Sequence, residues 1–217
     1  MATYLSMVND VLARLRESSV ATVSSTSYST LIGKFVNDAK RQVEDAWNWD
    51  ALSSDLTVTT SSGTSNYVVT GSGIRHKGAV VNCTTSSALN QLKNVPIQWI
   101  IDQQQLSTVQ RGNPAYYAWN GTNGTDSKIE IFPTPDGIYT LAISLYVPQS
   151  ALSADADVLT IPSDAVIMGA YARAIVERGE DGGLSSSEAY GLYKGILADQ
   201  IAIEASRFIE NDSWVAC

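Results

Sequence analysis

The sequence predicts an α+β protein: a discontinuous helical bundle, formed by two N-terminal and two C-terminal helices, with a β-rich domain inserted between them. Apolar residues recur at helical spacing near both ends of the chain. The middle of the chain is instead rich in Thr, Val, Ser and Gly, arranged in short alternating runs. Since each amphipathic helix has to bury its apolar face, we expect the two helical parts to pack together. The predicted bounds are 1–52 with 161–217 for the bundle and 53–160 for the inserted domain.

The two N-terminal helices differ in how much of their surface is apolar. The first has leucines and a valine at helical spacing between Tyr4 and Arg16. In the second, residues 31–49 place apolar side chains on one broad arc and charged side chains opposite, where Lys40 and Glu44 have the spacing of an ion pair on a helix surface. The arc is wider than contact with one helix requires. We therefore predict that the second helix packs against more than one neighbour.

Trp47 and Trp49 lie at the end of this predicted helix, directly before the first strand-like segment. Large indole side chains at such a point can wedge two layers of structure together. We predict that both lie at the junction between the bundle and the β-rich domain. Two alternatives are ordinary core tryptophans of the bundle and contact with another chain.

The sequence of the inserted region predicts strands joined by turns, together with one short helix. Asn-Gly pairs at Asn120 and Asn123 have the chemistry of tight turns. A short helix is predicted near 96–109, because Pro96 suits a first helical turn and isoleucines follow at partly helical spacing.

Two helices are predicted after the inserted region. Ser163 is the expected N-cap of the first, which Gly179 ends. The spacing of Ser185 and Glu188 is that of a capping box and begins a last long helix that reaches about Asn211.

The last helix carries a narrow stripe of small residues. A glycine inside a helix costs about 1 kcal/mol relative to alanine, so two glycines four residues apart indicate close approach of another backbone. That neighbour is either the preceding helix, at Ala170, Ala172 and Ala174, or another copy of the chain. Trp214, in the short tail beyond, either belongs to a free or folded-back end or docks on a partner. The stripe consists of Gly191, Gly195, Ala198, Ala202 and Ala205.

Composition argues against several classes of function. The chain has 217 residues and a net charge of -8, which disfavours strong binding to nucleic-acid phosphates. We expect no secretory leader and no membrane span. Cys83 and Cys217 have the spacing of neither a disulfide framework nor a zinc site. His76, the only histidine, is expected at an exposed loop tip, and Asp155 and Asp157 are expected in a solvated turn. We accordingly predict no enzyme, no cofactor and no bound metal.

Three segments resemble a known family: FVNDAKRQVEDAWNWDAL, IFPTPDGIYTLAISLYVPQ and AYARAIVERGEDGGLSSSEAYGLYKGILADQIAIE. They are similar to the head-to-tail adaptors of short-tailed bacteriophages, the tail tubular protein A type of connector. The resemblance implies a structural virion protein of the tail or neck, assembled in the cytoplasm of the host bacterium. It also implies a twelve-fold ring of identical subunits that lies below the portal protein, with the tail nozzle or tail fibre proteins attached beneath.

The resemblance assigns no catalytic residue. It implies that DNA passes through the lumen of the ring without specific binding, and an acidic wall suits this because it repels phosphates. The small-residue stripe and Trp214 are then candidate contacts with the next subunit or with the portal.

Two other classes of function remain open at this point. Tyr116, Tyr117 and Trp119 would suit recognition of a host surface glycan if they formed an exposed aromatic platform. The other class, an enzyme of cell-wall or nucleotide chemistry, is disfavoured because the sequence has one histidine and no catalytic motif.

Overall fold

The computed structural model describes residues 2–84, 89–106, 108, 110–179 and 186–207. It confirms the α+β class, since these ranges contain five α-helices and two four-stranded sheets. The chain divides into two compact units, Met1–Ala51 with Gln149–Cys217, and Leu52–Pro148.

Four helices form the described part of the first unit. α4 contacts each of the other three, and its side chains are buried on most of its circumference. α1 and α2 both begin with capping boxes, in which Thr3 pairs with Ser6 and Thr26 pairs with Ser29. The bounds are Tyr4–Arg14 for α1, Ser27–Ala46 for α2, Ser163–Arg178 for α4 and Ser186–Ala205 for α5.

The ends of α4 and α5 test the predicted caps. Gly179 ends α4 in the left-handed conformation, with φ of 63°, as predicted. The prediction for Ser163 is wrong, because Pro162 occupies the N-cap position and Ser163 is already the first helical residue. Proline suits this position because it has no N–H to leave unpaired. Ser185 lies outside the described residues.

The second unit is a pair of sheets with α3 beside them. The strand order is β1-β8-β3-β4 in the first sheet and β2-β7-β6-β5 in the second. Neighbouring strands are antiparallel except for β5 and β6, which are parallel. The bounds are β1 Ser53–Thr59, β2 Asn66–Val68, β3 Lys77–Thr84, β4 Leu89–Gln91, β5 Lys93–Asn94, α3 Ile97–Gln104, β6 Tyr116–Thr122, β7 Ser127–Phe132 and β8 Thr140–Tyr146, after a short 3-10 turn at Asp50–Leu52.

The two sheets share one apolar core. Val81 and Ile143 of the first sheet and Ile129 of the second belong to the same buried cluster. The helix predicted near 96–109 is present but shorter, and α3 packs through Ile100 against the second sheet. Its N-cap position is held by Pro96.

Candidate assembly interface

α5 has one buried face, which packs against α4. Ala189, Tyr193 and Glu204 are buried along it, at helical spacing. Glu204 accepts a hydrogen bond from the Asp50 N–H at 2.8 Å and pairs with Arg207 at 3.1 Å, so its buried carboxylate has partners within the unit.

The predicted small-residue stripe lies on the opposite side of α5. Gly191, Gly195, Ala198 and Ala202 are exposed, and Ala205 is half-buried. A Cβ added at either glycine would have no atom of the described residues within 4 Å. The two glycines therefore do not pack against Ala170, Ala172 and Ala174 of α4, and contact with another copy stays a prediction.

Close backbone approach occurs instead at two glycines that the sequence analysis did not single out. A Cβ at Gly169 of α4 would lie 3.1 Å from the Cβ of Ala39 and 3.1 Å from the Tyr193 ring. A Cβ at Gly33 of α2 would lie 2.8 Å from a methyl of Val23. Gly169 is thus the point where α2 and α5 both approach α4.

Long apolar side chains are also exposed on α4 and α5. Val176 is 65% exposed, Tyr190 44%, Leu192 48% and Ile203 53%. Single exposed apolar residues are ordinary, but Val176 and Tyr190 line the same groove and so form one apolar surface suited to contact with protein.

A groove of about 780 Å³ opens between α2, α4 and the first turns of α5. We call it the bundle groove. Its apolar lining comes from Phe35, Ala172, Val176 and Tyr190, and its polar lining includes Gln42, Arg173 and Glu177.

Arg173 is held in place inside the bundle groove. Its guanidinium donates to the carbonyl oxygen of Gly169 at 2.8 Å and to Oε1 of Gln42 at 2.6 Å. The groove therefore combines apolar walls with one oriented cation.

Both tryptophans at the end of α2 have positions in the first unit. Trp49 is 1% exposed, and its Nε1 donates to the carbonyl oxygen of Val43 at 2.7 Å. That carbonyl is one of the last four of α2, which have no partner within the helix, so the indole caps the helix end. Trp47 is half-buried at the C-cap position. A role for either indole at the junction stays a prediction.

One polar edge of α2 binds the chain where it re-enters the first unit. Lys40 and Glu44 form a 2.9 Å ion pair, as their spacing predicts, but both are buried and not on a solvent face. Lys40 Nζ donates to the carbonyl oxygen of Gln149 at 2.5 Å, and Glu44 accepts from its N–H at 3.0 Å. Asn37 binds the N–H and carbonyl of Leu152 at 2.8 and 3.0 Å.

The aromatic residues of β6 do not form an exposed platform. Tyr117 is buried in the core between the sheets, where its hydroxyl donates to the carbonyl of Ala79 at 2.9 Å. Tyr116 packs against Trp99, with ring centroids 4.8 Å apart. Trp119, in contrast, packs toward the core and contacts Tyr117. Since neighbouring strand residues face opposite ways, the three rings are divided between two faces.

His76 does not lie at an exposed loop tip, so that prediction is wrong. It is half-buried against the Trp119 ring, with centroids 4.1 Å apart, and its Nδ1 lies 3.2 Å from the Ser127 hydroxyl. Burial lowers the pKa of His76, because the charged imidazolium is poorly solvated there.

A buried carboxylate in the second unit was not predicted. Glu130 of β7 accepts hydrogen bonds from Gln104, Ser65, Asn66 and Asn120. Burial raises the pKa of Glu130, but these hydrogen bonds outweigh it and hold the pKa below its ordinary value. All of these partners are neutral, so the cluster ties strands and α3 together without an ion pair.

The predicted turn at Asp155 and Asp157 is present. Asp157 accepts from the N–H groups of Ser153 and Ala154 at 2.7 and 2.8 Å, and Asp155 accepts from that of Val23 at 2.9 Å.

Within the described ranges, no three His, Cys, Asp or Glu side chains come together in a way that could hold a metal ion. No helix among the described residues is both long and apolar enough to cross a membrane. Trp214 lies outside the described residues.

Comparison with known protein families places the chain in one of them. A family model described as SU10 adaptor protein matches residues 2–211, nearly the whole chain. No curated protein matches the chain.

Proposed function

This chain belongs to the SU10 adaptor protein family, and we propose that it acts as the head-to-tail adaptor of a bacteriophage, forming a ring between the portal and the tail nozzle. The observation that carries the proposal is the family match, because it extends over both compact units and not over one module alone. The role is structural and not catalytic.

In this proposal the first unit is a discontinuous helical bundle and Leu52–Pro148 is a domain inserted into it. The support is that α1 and α2, from one end of the chain, contact α4, from the other. The hydrogen bonds from Asn37, Lys40 and Glu44 of α2 to residues 149–152 add a second tie between the two segments.

The ring requires a heterologous contact, in which one face of a subunit meets a different face of the next. We assign the outer side of α5 to one of these faces. Its small stripe lets a neighbouring backbone come close, and its exposed Leu192 and Ile203 add apolar area. Trp214, in the tail, is the other candidate contact with a subunit or the portal.

The lumen of the ring is proposed to be mainly acidic. The chain carries 14 basic and 22 acidic residues, and a wall of that sign repels the DNA that passes through it. Portal protein above and nozzle or tail fibre proteins below are the proposed partners. A ring whose lumen carries positive potential would contradict this part of the proposal.

The test is a Gly195→Leu variant, assayed for ring formation by native mass spectrometry and for incorporation into particles. We expect a folded chain, since the site is open, and a loss of assembly on the order of tenfold or more, because the added side chain separates the two subunits. Asp10→Leu on α1 is the matched control, since it adds the same side chain at an exposed helical position outside the proposed contacts and should assemble normally.

Two outcomes would count against the proposal. Normal rings from Gly195→Leu would remove the outer side of α5 from the interface while leaving the adaptor role intact. A wild-type chain that never forms rings and is absent from purified particles would overturn the adaptor role itself.

A further inference from the structure

We propose that the bundle groove is filled in the assembled ring by the C-terminal segment, residues 208–217, of a neighbouring copy, with Trp214 as its anchor. This inference rests on the proposed ring and names a second contact within it. The groove belongs entirely to the first unit and is lined by α2, α4 and α5.

The size and lining of the groove suit a short peptide with an aromatic anchor. Its volume of about 780 Å³ is in the range of sites that hold bound ligands, roughly 300–1,000 Å³. Phe35, Val176 and Tyr190 supply apolar and aromatic walls, and Val176 is 65% exposed. A surface of this kind is stabilised when a bulky apolar side chain covers it.

Arg173 adds a feature that favours an indole. Its guanidinium is fixed by Gln42 and Gly169, so little side-chain freedom is lost when a ring stacks on it. The negative charge of Glu177 balances the positive charge of Arg173. The attraction between the groove and a bound segment is therefore mainly apolar.

The C-terminal segment has the matching composition. The ten residues after Arg207 include Phe208, Ile209, Trp214 and Val215, and they contain no lysine or arginine. Four polar residues, among them Glu210 and Asp212, separate the two apolar pairs, so the segment offers large apolar side chains at two points. Such side chains are buried only against another surface.

The distance that the C-terminal segment has to span decides whether it comes from a neighbouring copy or from the same chain. The groove lies beside Ser186 and Tyr190, at the first turns of α5, whereas the segment starts beyond Arg207 at the other end. The 17 residues from Tyr190 to Arg207 span about 26 Å of helix. Trp214 is seven residues beyond Arg207 and reaches at most about 25 Å in full extension. A chain's own segment would thus have to run fully extended along its helix, a limit that does not apply to a neighbour's segment.

The first experiment is disulfide trapping between copies, in a full-length Cys217→Ser background in which Cys83 stays buried. Val176→Cys and Ser213→Cys are made in separate chains, mixed, assembled and oxidised. We expect a covalent dimer from the mixture and a ladder of covalent oligomers from the double variant. Asp10→Cys, at an exposed position on α1 outside the groove, replaces Val176→Cys as the control and should give no dimer.

The second experiment measures the anchor directly. Trp214→Ala should lower ring yield at a fixed subunit concentration by at least about tenfold, because a buried indole is among the strongest contacts at protein interfaces. Ser213→Ala, the adjacent substitution, should leave the yield unchanged.

The outcomes separate this inference from the adaptor role. Rings that form without the mixed dimer, or a double variant that cross-links only within one chain, overturn the inference and leave the adaptor role standing. An unmodified chain that never forms rings and is absent from purified particles overturns both.

Discussion

Glycine has two opposite roles among the helices of the first unit. At Gly33 the helix surface is closed, because Val23 and the Tyr4 hydroxyl occupy the space that a side chain would need, and both residues are buried. At Gly195 the space is open, so the residue contributes only its conformational freedom to the isolated chain. The same substitution should therefore have opposite effects at these two positions.

We predict that Gly33→Ala lowers the free energy of unfolding by about 1–3 kcal/mol, since the added methyl overpacks the contact with Val23. Gly195→Ala should raise it by about 0.5–1 kcal/mol, the ordinary gain for an exposed helix interior. Urea unfolding of the unassembled chain, followed by far-ultraviolet circular dichroism, measures both.

Gly191→Ala is the matched control for Gly195→Ala, since it is equally open. If both substitutions destabilised the unassembled chain, the stripe would have to contact residues of its own chain, and the subunit interface would need another location.

α2 acts as a scaffold for the returning chain as well as a packing element. Its apolar arc packs on α1 and α4, which confirms the prediction that it has more than one neighbour. Asn37, Lys40 and Glu44, at spacings of three and four, bind the backbone of Gln149 and Leu152. A buried ion pair of this kind is sensitive to the loss of either partner, because the remaining charge stays desolvated.

A double-mutant cycle on Lys40 and Glu44 tests this role. Lys40→Met should lower the free energy of unfolding by about 3–5 kcal/mol, because it leaves the Glu44 carboxylate buried without its cation. The double variant, Lys40→Met with Glu44→Leu, should lose clearly less than the sum of the two single variants. Equilibrium urea unfolding gives all the values.

Lys34→Met is the control for this cycle, because Lys34 lies exposed on the same helix and its loss should change stability by no more than about 0.5 kcal/mol. Additive effects at Lys40 and Glu44 would show that the pair does not act as a unit.

At the scale of the whole molecule, the division into two units has a direct consequence for folding. The ends of Leu52–Pro148 are held together, since the Val147 N–H donates to the carbonyl of Leu52 at 2.8 Å. The unit also has its own buried core, which includes Val81, Ile129 and Ile143. Segments with adjacent ends and a separate core behave as independent domains.

We predict that a fragment of residues 52–148 folds on its own. It should unfold cooperatively on heating, and the amides of β7 and β8 should be protected from hydrogen exchange because both strands lie inside their sheets. A fragment that shows neither property would mean that the second unit depends on the first, and the proposed inserted domain would be wrong.

The sequence alone determined the α+β class and most of the helices, because apolar spacing records which surfaces a segment has to bury. It also predicted the Lys40–Glu44 pair and the end of α4 at Gly179, since both depend on residues close together in the chain. The resemblance to a family predicted the adaptor class for a similar reason. It depends on the residues of three segments and on their order, which are properties of the sequence.

Only the tertiary structure decided what covers each surface. Lys40 and Glu44 were assigned to solvent because the segment that buries them, at Gln149, is more than 100 residues away. His76 is covered by Trp119, and the glycines at close helix contacts are Gly33 and Gly169, not Gly191 or Gly195, for the same kind of reason. Periodicity shows which face of an element needs a partner, whereas the identity of that partner depends on long-range packing that no local pattern encodes.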